Sequence, residues 1–171
     1  MARLTNRFFA AILVTPFALG PGTQAGLADT SACLAHSANP GNQSELIRVS
    51  AEIVTVTGGK NTVLLTGNPV LTQADLCLSA NRILATYSPE SGKLVTISAY
   101  EDVSFFRGSD HATSGVSHYD VETRVLVLEG NVTLTREGST IAADEVTLNL
   151  DNETVTFSGN VSSVINPVSG E

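Results

Sequence analysis

Tryptophan is absent from the 171 residues, methionine occurs once, and aromatic residues make up only 5% of the chain. Any core must therefore be built from small aliphatic side chains, and the abundance of Val, Leu, Thr and Ser is a β-rich composition. Beyond the first thirty residues no stretch of useful length repeats its apolar positions with a helical period, which argues against a bundle or an α/β domain. Basic residues are also scarce: nine Lys and Arg stand against seventeen Asp and Glu, a net charge of −8. Nothing after Leu46 clusters Lys or Arg, so the basic stripe that displaces counterions from phosphates is missing and nucleic acid is excluded as a partner.

Chemistry-bearing motifs are equally sparse. His36, His111 and His118 have no spacing that makes a metal site, and no Gly-x-Ser-x-Gly, His-Glu-x-x-His or phosphate-cradling glycine loop occurs. Asp110-His111 beside Ser109 invites a triad, but neighbours on a strand point to opposite faces and do not converge. The acidic pairs Glu101-Asp102 and Asp144-Glu145 fall at equivalent points of a repeat, where a structural role suffices. No catalytic residue, metal or cofactor is assigned, and the chain is read as a non-enzyme.

The N-terminus reads as an export signal. Arg3 and Arg7 precede a short apolar run, Phe8 to Leu19, that is followed by the small, turn-forming residues Gly20 to Ala28. Cleavage is expected after Ala28, with Ala25 as the rival site. Residues 1–28 are then the signal peptide, 29–45 a flexible mature N-terminus, 46–165 one β-domain and 166–171 a flexible tail. Cleavage removes two arginines and no acid, leaving seven basic against seventeen acidic residues, a net charge of −10. Export permits a disulfide between the only two cysteines, Cys33 and Cys77. Cys77 lies between Leu76 and Leu78, so it points away from the face those leucines line. A lipid-modified Cys33 is the competing reading, weakened by Thr30 where a lipobox has an aliphatic residue.

What the chain has in quantity is repetition. Leu65-Thr66-Gly67-Asn68-Pro69-Val70, Leu128-Glu129-Gly130-Asn131-Val132 and Phe157-Ser158-Gly159-Asn160-Val161 share an alternating approach, a Gly-Asn pair suited to positive φ or a bulge, and an apolar exit. A degenerate copy places Glu101-Asp102 at the same point, so the marks fall at 67, 101, 130 and 159. A second signal precedes each mark: Ser50-Ala51-Glu52, Ser79-Ala80-Asn81, Thr113-Ser114-Gly115 and Ala142-Ala143-Asp144. Short polar turns at 58–61, 88–92, 120–123 and 151–153 connect the strands, and each repeat is a pair of antiparallel strands.

Alternation collects the apolar residues on one face. Taking the parity set by the mark glycines, that face holds Val63, Leu65 and Leu71, then Val95, Ile97, Val103 and Phe105. It continues with Leu126, Leu128, Val132 and Leu134, and ends with Val155, Phe157 and Val161. Val54, Val56, Leu76, Leu78, Val146 and Leu148 complete the expected lining, and the opposite face is largely Thr, Ser, Asn and Glu. Pattern alone leaves open whether this lining is a closed core or an open groove.

The stretch from His111-Ala112-Thr113-Ser114-Gly115 through Tyr119-Asp120-Val121-Glu122-Thr123-Arg124 to Leu128-Glu129-Gly130-Asn131-Val132 resembles the core repeat of the LptA, or OstA-like, lipopolysaccharide-transport family. That repeat runs Ala-Thr-Gly-Asp, Tyr-Asp-x-x-Thr-Gly, then Leu-x-Gly-Asn-Val. The copies at 65–80 and 141–161 are similar to it, so the resemblance spans about residues 46–165. Departures are Gly115 for Asp, Arg124 for the turn Gly, and Glu101-Asp102 for Gly-Asn. The resemblance implies an all-β, repeat-built antiparallel jellyroll splayed into a V-shaped open groove. It also implies a periplasmic carrier that takes lipopolysaccharide from an inner-membrane complex to an outer-membrane translocon, with the listed apolar residues as the lipid-binding groove. Implied partners are lipopolysaccharide, an inner-membrane LptC-type protein, an outer-membrane LptD-type translocon joined by strand augmentation, and further copies head to tail. Two alternatives are an LptC-type, membrane-anchored component of the same pathway and a structural surface module without a ligand.

Overall fold

The computed structural model describes Cys33 and residues 47–165. The expected signal peptide, the remainder of 29–46 and the tail 166–171 lie outside the described residues. Twelve strands form one antiparallel sheet: β1 (Arg48–Ser50), β2 (Ile53–Thr57), β3 (Thr62–Thr66), β4 (Val70–Gln73), β5 (Leu76–Ser79), β6 (Arg82–Tyr87), β7 (Leu94–Arg107), β8 (Asp110–Asp120), β9 (Val125–Arg136), β10 (Ser139–Asn149), β11 (Thr154–Ser158) and β12 (Ser162–Val164).

The pairing resolves into a meander of eight long strands, each bent or broken once near its middle. β1 with β2, β3 with β4, β5 with β6 and β11 with β12 are the halves of four; β7 to β10 run through unbroken. One set of halves pairs in the order β2–β3–β6–β7–β8–β9–β10–β11, the first leaf. The other set pairs β1–β4–β5–β7–β8–β9–β10–β12, the second leaf. The leaves share a spine of bends, and the hairpin turns form two rows of tips away from it.

Both repeated sequence signals are the spine. The marks are consecutive residues with positive φ: Gly67 and Asn68 at +78° and +50°, Glu101 and Asp102 at +64° and +52°, Gly130 and Asn131 at +81° and +51°, Gly159 and Asn160 at +66° and +41°. A left-handed pair reverses the local twist and turns the strand from one leaf to the other. The second signal is the bend of the strand alongside. Backbone N–H groups of Glu52, Asn81 and Asp144 donate to the carbonyls of Gly67, Glu101 and Gly159 at 3.3, 2.9 and 3.0 Å. Gly115 faces Gly130 at the remaining step. Ala80, Ser114 and Ala143 are buried there, because only small side chains fit where two leaves converge.

Cys77 pairs in register with Thr72 and Phe106, on the face opposite Leu76 and Leu78. It is disulfide-bonded to Cys33, with Cα atoms 5.4 Å apart, and the two form a small buried cluster with Val70 and Phe106. The outer face of the second leaf is therefore partly apolar, which strand alternation assigned to polar residues. His111 stacks on Phe106, with centroids 4.1 Å apart, and its Nε2 is 2.9 Å from Ser104 Oγ. Burial lowers the His111 pKa and favours the neutral ring. The expected separation of Asp110, His111 and Ser109 holds: Asp110 instead pairs with Arg136.

Two stability effects follow. A Cβ on Gly159 would lie 2.8 Å from Asp144 Cβ, whereas one on Gly108, also at positive φ (+57°), meets nothing within 4 Å. Gly108→Ala should cost about 1–2 kcal/mol from backbone strain alone, and Gly159→Ala distinctly more in the same denaturant titration. Loss of the 44-residue Cys33–Cys77 closure should cost about 4 kcal/mol in the chain-entropy model. Comparing Cys33→Ser/Cys77→Ser with wild type, each with and without reductant, checks it: only wild type should respond to the reductant.

Candidate functional site

The inner faces of the two leaves carry continuous rungs of side chains, one from each strand. In the first leaf, directly opposed residues run Val56, Val63, Ala85, Ile97, Tyr119, Leu126, Leu148, Val155, and beside them Val54, Leu65, Ile83, Ala99, Ser117, Leu128, Val146, Phe157. The second leaf supplies Val49, Leu71, Leu78, Phe105, Ala112, Leu134, Ile141, Ser163. Val103 faces Ser114 and Val132 faces Ala143 nearer the spine. Of the residues expected to line an interior, those in these rungs share one face of the sheet, whereas Val95 falls at a register shift and Val161 between two strands.

Leu65, Val103, Leu128, Val132, Leu134, Val146 and Leu148 are packed into two adjoining buried clusters, which also take in Leu71, Ile97, Phe105 and Leu126. Val63, Leu76, Leu78, Val155 and Phe157 pack against these clusters and are partly buried. Val54, Val56, Val95 and Val161 are exposed, with Val56 at 67%. The interior is accordingly most buried in its middle strands and exposed toward both edges.

An apolar pocket of about 60 Å³, partly open to solvent, lies between the leaves. Leu71, Leu76, Leu78 and Phe105 wall it from the second leaf, Ile97, Tyr119, Leu126 and Leu150 from the first, and Ile47 from the N-terminal edge. Its lining is apolar, as in sites that hold apolar ligand segments. Adjoining it along the tips is a polar cavity of about 130 Å³ that shares Gln73, Leu76, Tyr119 and Leu150 and adds Asp75, Arg107 and Arg124. Arg107 reaches Glu153 at 3.1 Å and Asp75 at 3.9 Å, and Arg124 pairs with Asp151. Burial raises the Tyr119 hydroxyl pKa, opposed by the Arg124 charge, so Tyr119 stays neutral between the two compartments. Arg124 itself, at φ +53°, occupies the turn position where the family repeat has Gly.

Sequence reasoning did not single out Ile83, Ala85, Ala99, Ala112, Tyr119, Ala143 or Leu150 for this interior. Ala99 was legible from simple alternation with Ile97 on the same strand. Ala112 and Ala143 were not, because the facing parity changes within β8, from Ser117 to Ser114, and within β10, from Val146 to Ala143. Ser117 Oγ is buried in the apolar face without a hydrogen-bond partner among the described residues. No group of three or more His, Cys, Asp or Glu among the described residues could hold a metal ion.

Comparison with known proteins agrees with this geometry. The family described as "LptA/(LptD N-terminal domain) LPS transport protein" matches residues 48–154. The lipopolysaccharide export system protein LptA of Haemophilus influenzae is 28% identical over 116 residues, covering 64% of this chain and 67% of that protein. The crystal structure of LptH, the LptA-homologous periplasmic component of the lipopolysaccharide transport device of Pseudomonas aeruginosa, superposes with a TM-score of 0.67 at 16% identity. It covers 75% of this chain and all of that one, and establishes the likeness of fold. With the family match running from the first strand to the start of β11, the chain belongs to the LptA/(LptD N-terminal domain) family of lipopolysaccharide transport proteins.

Proposed function

We propose that this chain is a periplasmic carrier that holds the acyl chains of lipopolysaccharide between its two leaves and leaves the sugar head in water. In this reading it takes the lipid from an inner-membrane LptC-type protein and passes it to an outer-membrane LptD-type translocon. The observation that carries the reading is an apolar inner face that continues through its buried middle to end strands that, among the described residues, pair on their inner side. Burial of each methylene contributes about 0.8 kcal/mol, so acyl chains can be retained without any charged or catalytic group.

The ends support the idea of docking. Among the described residues, β1 and β2 pair only inward, as do β11 and β12. Isolated proteins protect such edges with charge, proline or covering loops. Here β2, β11 and β12 carry no charged residue at all. Ile47, Ile53, Val54 and Val56 are exposed at one end and Val161, Val164 and Ile165 at the other. Strand addition to like-folded partners, or to further copies head to tail, would cover these residues and extend the apolar face from one protein into the next.

Photoreactive residues at Leu71, Phe105 or Phe157 should crosslink to lipopolysaccharide in cells of the native host, while Thr133 and Thr156, on the outer face, should not. Equal labelling of both sets would remove the interior as the lipid site. For the ends, Thr55→Pro and Thr156→Pro each take one backbone donor from an edge strand. Each should abolish crosslinking across its own junction and spare the other, in protein whose thermal melt stays within a few degrees of wild type. Persistence of both junctions in folded variants would show that assembly bypasses these strands.

A further inference from the structure

We propose that the ion pair between Arg107 and Glu153 is a clasp that closes the long mouth of the interior, and that it must part each time a lipid is loaded. The inference rests on the carrier reading above. A lipid whose chains lie between the leaves while its head stays in water needs a slit along the tips, opposite the spine. Arg107 ends β7 at a tip of the second leaf, and Glu153 lies in the β10–β11 turn at a tip of the first. Their 3.1 Å contact therefore crosses the slit from one leaf to the other. Asp75, in the β4–β5 turn, holds the same guanidinium from its own leaf at 3.9 Å and aims it across.

Beneath the clasp, Leu76 of the second leaf and Leu150 of the first line both the apolar pocket and the polar cavity above it. Leu150 is buried in the apolar cluster against which Leu76 packs. Without lipid, this closure reduces the exposure of the pocket lining to water, which favours the shut state. The clasp is nonetheless built to open. Glu153 and Asp75 are more than half exposed, and exposed ion pairs hold weakly and are screened by salt. A bound acyl chain replaces the Leu76–Leu150 closure with its own apolar contact, so it shifts the balance toward the open form by its preference for that form.

The test follows uptake of fluorescent lipid A by the mature, oxidised protein in a stopped-flow instrument. Glu153→Lys and Arg107→Met should load about two- to five-fold faster than wild type, the range that loss of one exposed pair allows. Salt should speed loading of wild type and leave Arg107→Met unchanged. In Arg107→Cys/Glu153→Cys the native cysteines remain in their disulfide, so a short bis-maleimide bridges only the new pair. The bridged form should load at least about ten-fold more slowly than the same variant unbridged, with an unchanged circular dichroism spectrum. Loading of the bridged form at the unbridged rate would overturn the clasp and leave the carrier reading intact. No uptake by wild type or any variant would overturn both.

Discussion

Every other feature of this protein depends on one conformational constraint: each of eight strands must change leaf at the same level. Left-handed residue pairs accomplish this in alternate strands, and glycine is their natural first member because it has no Cβ to clash there. The copy at Glu101-Asp102 shows what is needed when glycine is missing. Two non-glycine residues at positive φ carry a strain of about 1–2 kcal/mol each, and the surroundings hold them there. Asn81 donates its backbone N–H to the Glu101 carbonyl at 2.9 Å and its side-chain amide to Asp102 at 3.0 Å. Arg82 pairs with Glu101 at 3.4 Å and covers the Tyr100 ring. Asn160 and Asp144 make the corresponding side-chain bond at the last mark, at 2.8 Å. The spine is thus a ladder of cross-strand bonds, and the glycines are one way of several to satisfy it.

Bending all strands at one level gives the sheet a concave face, and that face is both the core and the lining of the pocket. Near the spine the leaves are close, and Ala80, Ala99, Ser114 and Ala143 fill the space. Farther out, Leu71, Phe105, Leu126 and Leu150 are larger but stand across a gap wide enough to leave a pocket. Deleting a fully buried residue such as Leu128 removes both packing and apolar lining, with a stability cost of about 2–5 kcal/mol. A loss of transport at that position would therefore speak first of folding. The pocket walls and the edges, where burial is incomplete, are where function can be separated from stability.

How much of this was legible in the sequence depended on the range of the interaction. The marks were, because positive φ is a local demand written in Gly67-Asn68, Gly130-Asn131 and Gly159-Asn160, and because spacing exposed the copy at Glu101-Asp102. The edges were as well, since chain order places first and last strands at the ends of a meander. The facing parity in β8 and β10 was not, because it is set by the bulge in the neighbouring strand and not by the residues that shift. Nor was the outward burial of Phe106 and Val70, which follows from a disulfide partner 44 residues before Cys77. The meeting of Arg107 with Glu153, 46 residues apart, is a product of how far the leaf tips approach, and no local pattern announces it.

These ranges also explain why the interior could be drawn from sequence as a lining and yet not as a groove or a core. Alternation determines which side chains share a face, as along the rungs from Val54 to Phe157, and it fails at Val95, where the register shifts and Leu94 packs inward instead. Whether that face closes on itself depends on the angle between the leaves, which the spine geometry and the tip contacts set jointly. At the spine the angle is held by backbone bonds in a close-packed setting; at the tips it rests on exposed charges and two leucines. The stiff end and the yielding end of the same V are thus built from different interactions, and a structure so arranged can widen at its mouth while its sheet stays paired throughout.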